Sequence, residues 1–303
     1  MIRILATGFA GLLGLAFGSF LNVCLSRRPA GESVVTPRSH CRNCDHTLAW
    51  WENIPLVSWA FLRGRCRGCG AWIGWRYPLV ELAVGALWAF AVCSSSGWGP
   101  EPDDSPLSLY LAIARVAGSM LFYWLLVALA ALDTEHLWLP DRLTLPGTVL
   151  GLAFFLLEQA AQKYRGAFYP AQPGLLDEVL WRLLAEVLQR LLAILAAAGL
   201  ILLIRWLYWL MRRREGIGLG DAKLMALLAA WLGLPGALLA FGVGAVLGAL
   251  GGVVVLITRR KDAATESLAT TKLPLGTFLC IGGVISSLWG QTMISAYLRW
   301  AGF

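Results

Sequence analysis

Charge is what this chain lacks. Only 14% of its 303 residues are charged, against about a quarter in soluble globular proteins. That is too little to cover a water-facing surface of this length. Histidine is scarcer still, with His40, His46 and His136 alone. Of these only His136 lies near a helix end, so no Ser/His/Asp set can be assembled. There is no short-period repeat, no low-complexity tail, no Gly/Ser linker and no glycine-rich turn of the nucleotide-binding kind. A string of soluble domains is thereby excluded.

What is present is apolar sequence, 58% of the chain. About 20 apolar residues cross a bilayer core, and eight such spans are expected, at roughly 4–24, 77–93, 107–132, 143–160, 187–210, 222–235, 236–257 and 274–295. Gly233, Pro235 and Gly236 are the only turn signal between the sixth and seventh. The first span runs to Cys24 with no convincing cleavage site, so it is expected to be an uncleaved helix. The fold class is therefore an all-α polytopic membrane protein.

The segments between spans alternate in charge. Residues 25–76 carry Arg27, Arg28, Arg38, Arg42, Arg63, Arg65, Arg67 and Arg76, whereas 94–106 carry Glu101, Asp103 and Asp104 and no base. Arg212, Arg213, Arg214, Arg259, Arg260, Lys261 and Lys272 fall on the side of the first loop, with Arg142 and Lys223 at helix ends. Basic loops stay in the cytoplasm, so both termini are expected outside. The formal charge of +7 thus reads as topology and lipid contact, and no nucleic-acid partner is expected. Loop 161–186 becomes amphipathic from Asp177. It is expected to form an outer-leaflet amphipathic helix, with an outward extension of the fifth helix as the alternative.

Four of the seven cysteines form two tight pairs, Cys41-x-x-Cys44 and Cys66-x-x-Cys69. Two such knuckles at this separation are a zinc signature, and four thiolates complete a tetrahedral shell with no position for water. The expected zinc is structural. Disulfides are disfavoured in a reducing cytoplasm, and a redox site would leave one pair unexplained. His40 and His46 flank the first knuckle and are available as substitute ligands. The chain then divides into a first helix (1–24), a cytoplasmic zinc-binding domain (25–76) and a membrane core (77–303).

Carboxylates inside apolar helices are costly and by default functional. Asp133 ends the third span and Asp221 opens the sixth, within Gly216-Ile-Gly218-Leu-Gly220-Asp221. Both fall at the cytoplasmic membrane face. Two carboxylates sharing a proton can activate water and protonate a substrate carbonyl or leaving amine. Gly218 and Gly220 remove side chains beside Asp221. Glu135 and Asp141 are the nearby acidic alternatives. Asp141, after Pro140, is expected to cap the fourth helix, and Lys223 to reach the lipid headgroups. A transporter using these aspartates for protons would show matched broken helices in two halves, and no such symmetry is seen.

These residues resemble the bacterial type IV prepilin peptidases. The resemblance begins at Gly18-Ser-Phe-Leu-Asn-Val23 and Arg28-Pro29. It continues through Asn53-Ile-Pro55, both cysteine pairs, Tyr77-Pro-Leu-Val-Glu81 and Asp133, then Leu139-Pro-Asp141 and Leu143-Thr-Leu-Pro146. It ends with Gly218-Leu-Gly-Asp221-Ala-Lys-Leu and Lys272-Leu-Pro-Leu-Gly276. Arg42, Glu52 and Leu275 depart from the family pattern. The resemblance implies that Asp133 and Asp221 are catalytic, with Gly218, Gly220, Pro140 and Asp141 in support. It implies cleavage of prepilins or type II secretion pseudopilins after a glycine at the inner-membrane cytoplasmic face. It further implies N-methylation of the new terminus with S-adenosylmethionine, whose binding residues the sequence does not identify. The alternative is a leader peptidase without methyltransferase activity.

Overall fold

The structure is a computed structural model that describes residues 1–95, 106–166, 175–213, 218–259 and 274–302. The acidic stretch with Glu101, Asp103 and Asp104, the middle of loop 161–186, Arg214, and Arg260, Lys261 and Lys272 lie outside the described residues. Helices α1 (Ile2–Arg27), α2 (Val57–Phe61), α3 (Arg76–Ser94), α4 (Pro106–His136), α5 (Asp141–Gly166), α6 (Leu175–Arg212), α7 (Leu219–Arg259) and α8 (Leu275–Trp300) account for nearly all of it. Among the described residues there are seven helices long and apolar enough to cross a membrane, all but α2. The chain is a multi-pass membrane protein. Leu5, Phe9 and Leu12 on α1 and Leu188, Leu192 and Leu195 on α6 stay exposed, as lipid-facing side chains do.

Contacts group the chain into two compact units, Met1–Ala131 and Leu132–Phe303. Helix α3 packs on α1.

In the first unit α1 and α3 run antiparallel at very close range. A Cβ on Gly18 would lie 2.7 Å from the Glu81 Cα, and one on Gly14 would lie 2.9 Å from the Gly85 Cα. Small residues at the seam let backbones approach where lipid offers no hydrophobic drive. The Asn22 amide donates to the Tyr77 carbonyl at 2.9 Å, and the Arg3 guanidinium donates to the Cys93 carbonyl at the other end. Trp88 donates to the Met120 carbonyl on α4 at 2.9 Å.

In the second unit α7 is two arms. Gly233 is non-helical, with φ 72° and ψ 176°, a region essentially restricted to glycine. Pro235 falls in the first turn of the second arm, where its missing N–H costs little. Gly236 approaches Ser286 and Gly244 approaches Leu279, so the second arm runs antiparallel to α8. Gly220 and Gly276 meet the same Leu139 side chain, so the first arm starts level with the beginning of α8. The chain therefore reverses at Gly233, and the expected sixth and seventh spans are these arms. Leu224, Met225, Leu227, Leu228, Ala229 and Ala230 of the first arm are fully buried. Arg190 of α6 closes its far end, donating to the Ala229 carbonyl at 3.2 Å. Its guanidinium stacks 3.8 Å from the Phe155 ring centre.

Helix α6 is continuous over 38 residues. Residues 175–186 thus extend the fifth expected span outward, the alternative to a separate surface helix. Its interior has no proline and one glycine, Gly199, so nothing breaks it.

Candidate active site and metal centre

The cysteine loop is built twice. Cys41 N–H donates to the His46 carbonyl at 2.9 Å, and Cys66 N–H donates to the Ala71 carbonyl at 2.8 Å. Asp45 N–H returns to the Cys41 carbonyl at 2.9 Å, and Gly70 N–H to the Cys66 carbonyl at 2.8 Å. Asp45 and Gly70 occupy the same left-handed position, with φ 56° and 73°. Isolated bridges close each knuckle, His40 to Thr47 and Arg65 to Trp72.

The two turns bring all four sulfurs within 4.8 Å of one another. Cys41 and Cys69, and Cys44 and Cys66, are each 3.9 Å apart. The edge of a tetrahedral zinc–thiolate shell is about 3.8 Å, from a Zn–S bond near 2.3 Å. Backbone N–H groups of Asn43 and Gly68 point at Cys41 and Cys66 Sγ, at 3.5 and 3.3 Å. The Asn43 amide, and then the Ala71 N–H, lower the Cys69 thiol to about 6. The His46 N–H also pulls Cys44 down, but the crowding thiols Cys69, Cys41 and Cys66, with burial, outweigh it and push Cys44 up to about 12. Four sulfurs so placed could hold one metal ion, and the cluster suits a structural metal such as zinc. The histidines are engaged elsewhere. His40 Nδ1 faces the Arg38 carbonyl at 3.0 Å, and His46 Nε2 faces Glu52 at 3.3 Å.

The second unit holds the carboxylates. Asp133 and Asp221 are 6% and 8% exposed, whereas Glu135 and Asp141 are exposed. The two buried groups, 88 positions apart, lie close enough to repel one another electrostatically. Burial distinguishes Asp133 from Glu135 and Asp141, the three that chemistry alone did not separate.

Each buried carboxylate is held by backbone. Thr277 N–H donates to Asp133 Oδ2 at 2.7 Å, and the Thr277 hydroxyl lies 3.2 Å from the same oxygen. Thr277 is in the first turn of α8, whose free N–H groups and dipole attract an anion. Gly218 N–H donates to Asp221 Oδ2 at 3.2 Å. A second hydroxyl, Thr134 Oγ1, lies 2.8 Å from Thr277 Oγ1.

The glycines have more than one role. A Cβ on Gly276 would lie 2.9 Å from Asp133 Cγ and Oδ2 and 3.0 Å from Leu139, so Asp133 rests on a bare backbone. A Cβ on Gly220 would meet Leu139 at 3.1 Å, whereas Gly218 keeps ordinary distance from Asp221. Gly220 thus admits Leu139, and Gly218 is the open side. Leu137 adopts φ 50° and ends α4. The following Leu139 and Pro140 are buried.

Lys223, expected to reach the headgroups, has a protein partner. Its ammonium pairs with Asp141 Oδ1, linking the start of α5 to the first arm of α7. Thr277, Thr134 and this ion pair escape sequence reasoning, because each depends on a partner 82 or more positions away. The run ending at Gly276 was the only signal near Thr277.

Comparison with known proteins gives matches along both units. Residues 12–95 match the bacterial peptidase A24 N-terminal domain, and residues 120–253 match the type IV leader peptidase family. A prepilin leader peptidase/N-methyltransferase of Stutzerimonas stutzeri is 33% identical, covering 96% of this chain and 93% of the relative. One of the same description from Pseudomonas aeruginosa is 34% identical over the same shares. Another from Myxococcus xanthus is 39% identical over 86% of this chain and 66% of its own length. No solved structure matches. With near-complete coverage of relatives above 30% identity and both family domains in order, this chain belongs to the type IV leader peptidase family.

Proposed function

We propose that the chain cleaves the basic leader from type IV prepilins or type II secretion pseudopilins and N-methylates the new terminus. Asp133 and Asp221 are the catalytic pair, supported by Gly218, Gly220, Pro140 and Asp141. The observation carrying this reading is that two buried carboxylates of one unit lie within electrostatic reach of each other, each accepting backbone N–H donation.

The two aspartates share one proton and activate a water between them. The ionised aspartate takes a proton from water as the water oxygen attacks the carbonyl carbon of the leader glycine. The protonated aspartate gives its proton to the carbonyl oxygen. The tetrahedral intermediate then collapses: the C–N bond breaks, the nitrogen gains a proton from the pair, and a leader carboxylate and a new amine remain. Water activation of this kind contributes on the order of a hundredfold to ten-thousandfold.

Cys41, Cys44, Cys66 and Cys69 would hold zinc as thiolates, and the metal would supply a structural cross-link between the two knuckles of the 25–76 loop domain. S-adenosylmethionine, when bound, supplies a methyl group on a sulfonium that the new amine can take. The enzyme resides in the inner membrane with the cysteine loop cytoplasmic and both termini outside, following its arginine distribution.

Purified protein incubated with a prepilin and methyl-labelled S-adenosylmethionine tests this reading. Cleavage with transfer of label is expected. Cleavage without transfer leaves a leader peptidase alone, and no cleavage where a relative cleaves the same substrate overturns the reading.

A further inference from the structure

The aspartates leave much of the first unit unexplained. Segments 18–23, 53–55 and 77–81 carried part of the sequence resemblance, yet none belongs to the second unit. They converge on one cavity of about 300 Å³, within the range that holds drug-sized ligands. Asn22 comes from the end of α1, Glu52 from the loop between the knuckles, and Tyr77 and Glu81 from the start of α3. Trp59 and Trp72 add aromatic surface.

The wall is rich in acceptors. Asn22 is 2% exposed and Glu52 6%, yet Asn22 Oδ1 and Glu52 Oε1 have no hydrogen-bond partner among the described residues. Their other polar atoms are committed: Asn22 Nδ2 to the Tyr77 carbonyl, and Glu52 Oε2 to the Ala49 N–H at 2.7 Å. Glu81 Oε2 accepts the Leu56 N–H at 2.8 Å. The guanidinium of Arg27, also in the wall, is spent on the Ser33, Pro37 and Arg38 carbonyls. A buried acceptor without a donor costs about 1–3 kcal/mol. Two of them beside a second carboxylate, Glu81, call for a ligand that brings N–H donors and positive charge. Aromatic walls suit a planar ring and attract cations on their faces.

We propose that this cavity is the S-adenosylmethionine site, with Glu52, Glu81 and Asn22 receiving its cationic and N–H groups and Trp59, Trp72 and Tyr77 flanking its ring. The proposal rests on the methylation reading above. S-adenosylmethionine carries an ammonium, a sulfonium and an exocyclic amine on an aromatic base, which is the combination the wall lacks. The cavity floor is closed by the metal-bearing knuckles, since Cys41 and Cys66 also line it.

The test is equilibrium binding of labelled S-adenosylmethionine to the full-length protein in lipid nanodiscs, without prepilin. Glu52→Gln and Glu81→Gln keep shape and one acceptor oxygen while removing charge. Each is expected to weaken binding at least about tenfold, the loss of one charged hydrogen bond. Zinc content should match the wild type in both variants, and melting temperature should match in Glu81→Gln. Unchanged affinity in both variants overturns the proposal. Ultraviolet cross-linking of the labelled donor to wild-type protein gives an answer independent of any variant. Label on peptides within 19–81 supports the site, and label confined to 132–303 overturns it. If wild-type protein transfers methyl groups while label maps to 132–303, methylation stands and only this placement falls. If it neither binds nor transfers, both fall.

Discussion

Asp133 rests against Gly276 and Thr277, residues that the helix ends alone do not single out. A methyl group at Gly276 would sit 2.9 Å from the carboxyl carbon. Gly276→Ala should therefore displace Asp133 and lower the cleavage rate by about a hundredfold, the cost of a misplacement near 1 Å. Melting temperature and metal content should hold. Asp133→Asn and Asp221→Asn should each reduce cleavage by about a hundredfold to ten-thousandfold, with zinc retained by metal analysis. Full activity in either asparagine variant sinks the assignment. Both aspartates were legible because an acid in an apolar helix stands out. Proposing Asp133 over Glu135 and Asp141 rested on the resemblance; Asp133 is buried, and those two are exposed. The pairing of Lys223 with Asp141 was not legible, since a lone lysine at a helix end fits headgroups as well as a partner 82 positions away.

At the scale of elements, turn chemistry was the readable part. Gly233, Pro235 and Gly236 marked the division of α7 because only glycine takes its backbone angles there. Gly233→Ala should destabilise the protein by about 1–3 kcal/mol, measured by thermal unfolding in nanodiscs, and Gly242→Ala is the open-space control. Helix α6 was harder. Its amphipathic start suggested a surface helix, but continuity depends on the absence of a breaker. The cysteine loop was legible as a metal centre from spacing, while its internal duplication became visible only through matched hydrogen bonds. Cys66→Ser should lose bound metal and expose residues 40–72 to protease. The loop also has a dependence on acidity. Donation by Ala49 N–H, and then by His46, holds Glu52 below its ordinary value near 4.5. The stability it adds is complete above that value and is lost as pH falls through the lowered one. Wild type should outlast Glu52→Gln in proteolysis at neutral pH, and the gap should close in acid.

The whole molecule has two centres, and each lies inside one unit. Four thiolates and an acceptor-lined cavity belong to 1–131, and the buried carboxylates to 132–303. Helix number and order followed from hydropathy, but grouping did not, because glycine seams such as Gly14 and Gly18 against Gly85 and Glu81 depend on which faces meet. The proposed orientation rests on charge. A reporter inserted at Gly31, where a side chain would meet open space, should be active only in the cytoplasm, and one fused after Phe303 only outside. The reverse pattern would overturn the proposed topology.

The reversal at Gly233 also bears on the lipid. Residues 219–232 make an arm of about 21 Å at 1.5 Å per residue, in a hydrocarbon slab about 30 Å thick. Such hydrophobic mismatch is met by thinning the bilayer around the protein or by setting the carboxylates beneath the headgroups. In either case acyl-chain length becomes a variable of catalysis. Leader cleavage should fall as vesicles are made from progressively longer-chain lipids, while metal content, held in the loop, should not change.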